Sequence, residues 1–184
     1  VAVILNVDAD HLDFFKDLED VEKSFRAFAD LVPEGGRIIA NRDDEHFEAI
    51  VKDRTCGKLY TYGRKEGGEK PDFYGSRLRF VSEPGFVGTE FDLEEKATGA
   101  VMDLRLGLPG EFNVDNARAA ASLCRAMGIS EDAIREGLEH VRVNGRMEIA
   151  YSSEKCTVII DYAHNAVSME SLLTTLRHYH PKRL

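Results

Sequence analysis

A chain of 184 residues, 43% apolar and 31% charged, has the make-up of a globular protein long enough to bury a real core. A net charge of −9 excludes a broad nucleic-acid footprint, which needs a basic face, but leaves room for a nucleotide held locally by backbone N–H groups and a metal. Three scattered cysteines (Cys56, Cys124, Cys156) exclude a CxxC zinc site and suit a reducing cytoplasm, and no apolar run reaches the ~20 residues of a membrane span or resembles a signal peptide.

Residues 1–7 form a short apolar run of the kind that makes a buried parallel strand. Over 18–32 the apolar positions Leu18, Val21, Phe25, Phe28, Ala29 and Val32 repeat at helical spacing, and Pro33 with Gly35 and Gly36 ends the helix. A second buried strand follows at 36–41, then a short helix over 45–52. From about 58 to 108 short β-like segments alternate with Gly, Pro and charged turns, which predicts an antiparallel insertion or subsheet. Helical pattern returns at 114–127, closed by Gly128, and Ser130 caps a further helix with the stripe Ile134, Leu138, Val141. Residues 147–162 read as a hairpin whose second strand is central and buried. Residues 168–180 read as an amphipathic helix with Met169, Leu172, Leu173 and Leu176 on one side. The class is α/β: a partial, mostly parallel nucleotide-binding sheet flanked by helices, with an antiparallel subsheet. The chain starts in strand-like sequence and stops just after a helix, so both ends are expected to be breaks inside a longer polypeptide.

Five clusters could carry chemistry. Asn6, Asp8, Asp10, His11 and Asp13 lie just past the first strand, where ligands of open α/β sheets gather, and one imidazole among carboxylates can hold a divalent cation. The same residues could instead make Asx-turns and cap the next helix. Asn41, Asp43 and Asp44 follow the second strand, either as ligands or as a helix start with acids in its first turn. Asn113 and Asn116 lie three apart at a helix start, so both amides can project from one face toward an adenine edge, although Asn113 could be only an N-cap. Arg146, after Gly145, could reach a phosphate as a planar fork or form a surface ion pair. Asp161 ends the last strand, where an acid suits ribose hydroxyls, with His164 and Asn165 just beyond as site residues or structural ones.

In this order the five motifs resemble the Mur ligases that build peptidoglycan precursors, a family shared with folylpolyglutamate synthetase. The resemblance covers essentially the whole chain. It implies that residues 1–160 are the second part of the central ATP-binding domain and that 161–184 begin the Rossmann-like C-terminal domain. The DHLD string is similar to the motif whose histidine serves Mg2+, which carries to His11. The N-x-DD string is similar to a segment near the adenine, which carries to Asn41, and G-x-x-N-x-x-N-x-x-A-A resembles the adenine motif, carrying to Asn113 and Asn116. Arg146 then corresponds to the arginine at the terminal phosphates, Asp161 to the ribose acid, and His164 with Asn165 to the interdomain hinge. Arg146 and His164 are the residues the resemblance makes catalytic.

What the family implies is a cytoplasmic enzyme of cell-wall biogenesis, and so of cell shape and division. With ATP and Mg2+ it would activate a UDP-N-acetylmuramoyl carboxylate as an acyl phosphate, which an amino acid attacks to form an amide. The strings GRMEI and DYAHN resemble the branch adding the third stem residue, and this branch is favoured. The front half resembles the branch adding L-alanine, and a folylpolyglutamate-synthetase-like ligase is a further alternative. Third-residue ligases typically carry a lysine fourteen places after the DHLD histidine, where this chain has Phe25. No G-x-x-x-x-G-K-[ST] loop occurs, so the 184 residues alone are expected to lack ligase activity. A nucleotide-binding or interaction module without a P-loop is the non-enzyme alternative, and exposed strand edges would favour self-association of the isolated chain.

Overall fold

The computed structural model describes residues 1–52, 57–66, 68–83 and 85–184, so Cys56 lies outside the described residues. Six strands are hydrogen-bonded in the order β1-β2-β3-β4-β5-β6, and two more, β7 and β8, form a separate sheet. The fold is α/β, as the pattern predicts. The chain divides into two compact units: Val1–Gly75, Glu94–Ala100 and Arg118–Ile129, and Ser76–Leu93, Val101–Ala117 and Ser130–Leu184.

In the first unit, β1 (Ala2–Ile4), β2 (Arg37–Asn41) and β3 (Lys58–Gly63) run parallel, with Ala2 opposite Ile38 and Ile39 opposite Tyr60. Ile38, Ile39 and Ala40 are consecutive and all buried, which requires cover on both faces, the habit of parallel strands. Helix α1 (Leu18–Asp30) begins at Asp17, which is extended and whose carboxylate accepts the Asp20 N–H at 3.0 Å, and Glu19 and Asp20 suit the positive end of its dipole. Its Val21 and Ala29 join Ile4, Ile38, Phe47 and Ile50 in one core, with Leu18 and Phe25 packed at the edge. Helix α2 (Phe47–Val51) is closed by Arg26, which donates to the carbonyls of Ala49 and Lys52.

The antiparallel stretch expected from about residue 58 begins later. Strand β3 pairs parallel with β2 from Lys58 to Tyr62, and β4 (Phe73–Glu83) starts parallel to β3 at Tyr62 and Gly63. An alternating half-buried pattern carries no strand direction. So short a parallel return is held by Asp72, whose carboxylate accepts both the Thr61 N–H and its hydroxyl at 2.8 and 2.9 Å.

The rest of β4, β5 (Phe86–Glu95) and β6 (Ala100–Leu106), most of which belong to the second unit, form a meander. Arg77 bonds Asp92 and Asp103, while Arg79 bonds Glu90, which lies 3.5 Å from Arg105. Partners step in opposite directions along neighbouring strands, the mark of antiparallel pairing. The alternate positions Phe91, Leu93, Met102, Leu104 and Leu106 are buried. Helix α3 (Glu111–Ala126), whose residues from Arg118 onward belong to the first unit, runs two residues short of Gly128, which takes the left-handed φ of 81° expected of it. Helix α4 (Glu131–His140) starts at Ser130, whose hydroxyl accepts the Ala133 N–H.

Strands β7 (Glu148–Ser152) and β8 (Thr157–Ile160) form the expected hairpin, but β8 is neither central nor buried. Among the described residues its only neighbour is β7, and Val158 and Ile160 are about half exposed. The run of apolar residues reports what the strand could bury, not what lies alongside it. Helix α5 (Ala166–Arg177) is likewise turned from the expected stripe: Thr175 is buried while Met169 and Leu173 are exposed.

Candidate nucleotide site

In the first unit, His11 sits in the loop after β1 with a left-handed φ of 55° and an exposed side chain. Asp8 and Asp10 accept the N–H groups of Ala9 and His11, so the acids stabilise the loop's own turns. Among the described residues no three His, Cys, Asp or Glu side chains cluster as metal ligands. A single exposed imidazole beside carboxylates fits a Mg2+ that keeps water and phosphate as most of its ligands, not an all-protein cage.

The segment after β2 has a role the sequence reading missed. Asp44 accepts the N–H of Val7 at 2.9 Å and that of His46 at 2.8 Å, tying the ends of β1 and β2 together. Asp43 accepts the Arg64 N–H at 2.7 Å and so fixes the chain leaving β3. Asn41 accepts the Asp43 N–H and is half-buried. Three strand ends are held in place by this one acidic segment.

In the second unit, Asn113 is not an N-cap. It lies in the first turn of α3, 8% exposed, and its Nδ2 donates back to the Pro109 carbonyl at 2.7 Å. Asn116, one turn on, is exposed. Gly110, just before the helix, takes a φ of 109°, a conformation that side chains rarely adopt.

Arg146 and Asp161 come together through a kink. Gly145 has a φ of 73°, and Met147, fully buried, has a φ of 46°, a costly value for a bulky residue. The kink is held by Asp161, which accepts the Met147 N–H at 2.8 Å with one oxygen and the Ala163 N–H at 2.9 Å with the other. Glu148 accepts the Gly145 N–H at 2.7 Å. The exposed Arg146 guanidinium lies 5.0 Å over the Tyr162 ring, a cation–π contact that steadies a planar fork. His164 meets the same ring edge-on at 5.0 Å, and its Nδ1 lies 2.9 Å from the Tyr162 carbonyl. A carbonyl only accepts, so Nδ1 carries a proton, and in the neutral form of the ring the lone pair is then on Nε2. Asn165 caps α5, accepting the Ser168 N–H at 2.8 Å. Tyr162 and Met147 stand inside the recognised motifs, but nothing local marked their parts in the geometry.

A depression of about 480 Å3 lies elsewhere on this unit, lined by Arg77, Arg79, Arg105 and Arg135 with Glu90, Asp103 and Glu139. Its arginines are paired with those acids and with Asp92, Glu83 and Glu131, which leaves no cationic cradle for phosphate.

Two family profiles match: the Mur ligase middle domain over residues 1–124, and the Mur ligase glutamate ligase domain over 145–184. The chain is 32% identical over its whole length to a UDP-N-acetylmuramate–L-alanine ligase of Clostridium tetani, covering 39% of that protein. It is 34% identical over its whole length to the enzyme of the same name from Clostridium perfringens, covering 38%. Among solved structures it is similar to a UDP-N-acetylmuramoyl-L-alanyl-D-glutamate–2,6-diaminopimelate ligase, with a TM-score of 0.76 at 22% identity over 96% of this chain and 35% of that one. At that identity the likeness concerns the fold alone. The chain thus spans about two fifths of the length of the curated relatives it matches.

Proposed function

The chain belongs to the Mur ligase family, and from that premise we propose that it carries the adenosine side of the ATP site of an amide-forming peptidoglycan-precursor ligase. The observation that carries this reading is the 2.8 Å bond from the Met147 N–H to Asp161, which sets the arginine of one motif beside the acid of another. Asn113 and Asn116 contact the adenine. Each oxygen of the Asp161 carboxylate already accepts one backbone N–H, and the remaining lone pairs take ribose hydroxyls. Arg146, backed by Tyr162, meets charge developing on phosphate oxygens with fixed donors. His164, with Nε2 available, takes a proton from the attacking amine, and Asn165 anchors the hinge as the α5 cap. His11 serves Mg2+. When bound, ATP supplies the phosphoryl group that makes the substrate carboxylate reactive, and Mg2+ neutralises its charge.

The substrate pair we propose is UDP-N-acetylmuramate and L-alanine, in the cytoplasm. Support comes from the names of the relatives at 32–34% identity and from Phe25, which packs at the core edge where third-residue ligases typically carry a lysine. Third-residue addition, the reading favoured from the C-terminal motifs, stands second; GRMEI is its support. An ADP-release assay on the full-length protein separates them. Turnover with UDP-N-acetylmuramate and L-alanine supports the first. Turnover only with a UDP-linked dipeptide and a diamino acid supports the second. Nucleotide binding without turnover on any acceptor favours a binding module and overturns both.

A further inference from the structure

Tyr179 lies beyond α5, far in sequence from every motif above, yet its hydroxyl sits at the head of α3. It accepts the Gly110 N–H at 3.3 Å, donates to the Gly88 carbonyl at 3.1 Å and lies 3.4 Å from the Thr89 hydroxyl, whose residue is fully buried. Its ring meets Phe80 edge-on at 5.4 Å, while His178 stacks flat on Phe80 at 4.5 Å. Burial pushes the phenol above its ordinary pKa, so it stays a donor and an acceptor at neutral pH.

The Gly110 N–H belongs to the same peptide plane as the Pro109 carbonyl, and that carbonyl accepts Asn113 Nδ2 at 2.7 Å. One rigid peptide therefore has Tyr179 at one end and Asn113 at the other. Rotation of that peptide is further restrained because the space beside Gly110 is filled: a Cβ there would come within 3.3 Å of Thr175 Cγ2 and 3.0 Å of the Phe112 ring. With Nδ2 committed to Pro109, the Asn113 amide has one fixed orientation, hence a fixed arrangement of donor and acceptor.

We propose that Tyr179 is a positioning residue for base recognition: through the Pro109–Gly110 peptide it fixes the orientation of the Asn113 amide and so the choice of adenine over a 6-oxopurine. The inference rests on the reading of Asn113 as an adenine contact. Adenine offers an amino donor where a 6-oxopurine offers a carbonyl acceptor, so an amide free to turn loses the distinction. The residue that enforces it lies in the stretch matching the C-terminal family profile, while Gly110 and Asn113 lie in the stretch matching the middle-domain profile.

The test uses the full-length protein and compares kcat/KM for ATP and for inosine triphosphate in the unsubstituted protein, Tyr179→Phe and Asn113→Ala. Tyr179→Phe keeps the ring on Phe80 and removes only the hydroxyl. Losing one neutral hydrogen bond of this kind should lower the ATP preference about three- to tenfold. A ratio of two substrates does not depend on how much enzyme is folded, so a merely structural role leaves it unmoved. If Asn113→Ala lowers the preference and Tyr179→Phe does not, the Tyr179 proposal falls and the adenine reading stands. If Asn113→Ala leaves the preference intact, the adenine reading falls and takes the proposal with it.

Discussion

Asp161 carries two burdens, one structural and one functional, and substitution separates them. Its carboxylate accepts the N–H groups of Met147 and Ala163 at 2.8 and 2.9 Å, and the first holds a bulky residue at a φ of 46°. Hydrogen bonds to a charged group contribute about 1.5–3 kcal/mol each, and since Asp161 is only half-buried the lower figure applies. Asp161→Asn keeps one accepting oxygen and turns an amide donor toward the other N–H, so it should cost about 1.5 kcal/mol. Asp161→Ala removes both acceptors and should cost about 3 kcal/mol, leaving the buried Met147 N–H without its partner. At about 2–4 °C per kcal/mol for a domain of this size, melting should fall by roughly 3–6 °C for Asn and 6–12 °C for Ala. Circular dichroism melts of the two variants check the order and the size. Changes within about 0.5 kcal/mol of the unsubstituted protein for both would refute the claim that this carboxylate holds the kink.

Gly88→Ala would drive a Cβ into the Leu106 carbonyl, a backbone atom with no freedom to yield; a destabilisation of about 1–3 kcal/mol in denaturant melts is expected. The raised pKa of Tyr179 means folding favours its protonated form. Its stabilising contribution is whole below the ordinary phenol value of 10.0 and is lost as pH rises through the higher folded value. Tyr179→Phe should therefore flatten the fall in stability above pH 10, and an unchanged alkaline limb would remove Tyr179 as its source. The 184-residue chain alone should release no ADP in a substrate-dependent assay, since its sequence holds no P-loop; turnover would contradict this. Tyr151, Val158, Ile160 and Tyr162 are exposed on and beside the β7–β8 hairpin, so size-exclusion chromatography of the isolated chain should show association; a clean monomer at high concentration would count against it.

Local chemistry was readable where a single residue type sets the geometry. Gly128 at a helix end, Ser130 at a helix start and the doubly covered run at Ile38 and Ile39 all behave as their types dictate. Features set by distant partners were not readable. The direction of β3 follows from its route back along β2, and the exposure of β8 from the lack of a second neighbour among the described residues. Asp44 reads as a helix-start acid, yet one of its oxygens serves Val7, 37 positions away. The site divides in the same way. Asn113, Arg146 and Asp161 stand in recognisable strings, whereas the Met147 kink needs two strings to meet across the hairpin. Tyr179 had no signal at all, because a hydroxyl's value here depends on the glycine it reaches.

Hydrogen exchange of the full-length protein with and without ADP tests the central claim most directly, because it reports which backbone segments the nucleotide orders. Slowed exchange is expected at residues 110–117, 145–147 and 161–165, the head of α3, the Arg146 kink and the Asp161 loop. Protection that leaves all three segments unchanged while appearing elsewhere would show that this stretch of chain does not form the nucleotide site.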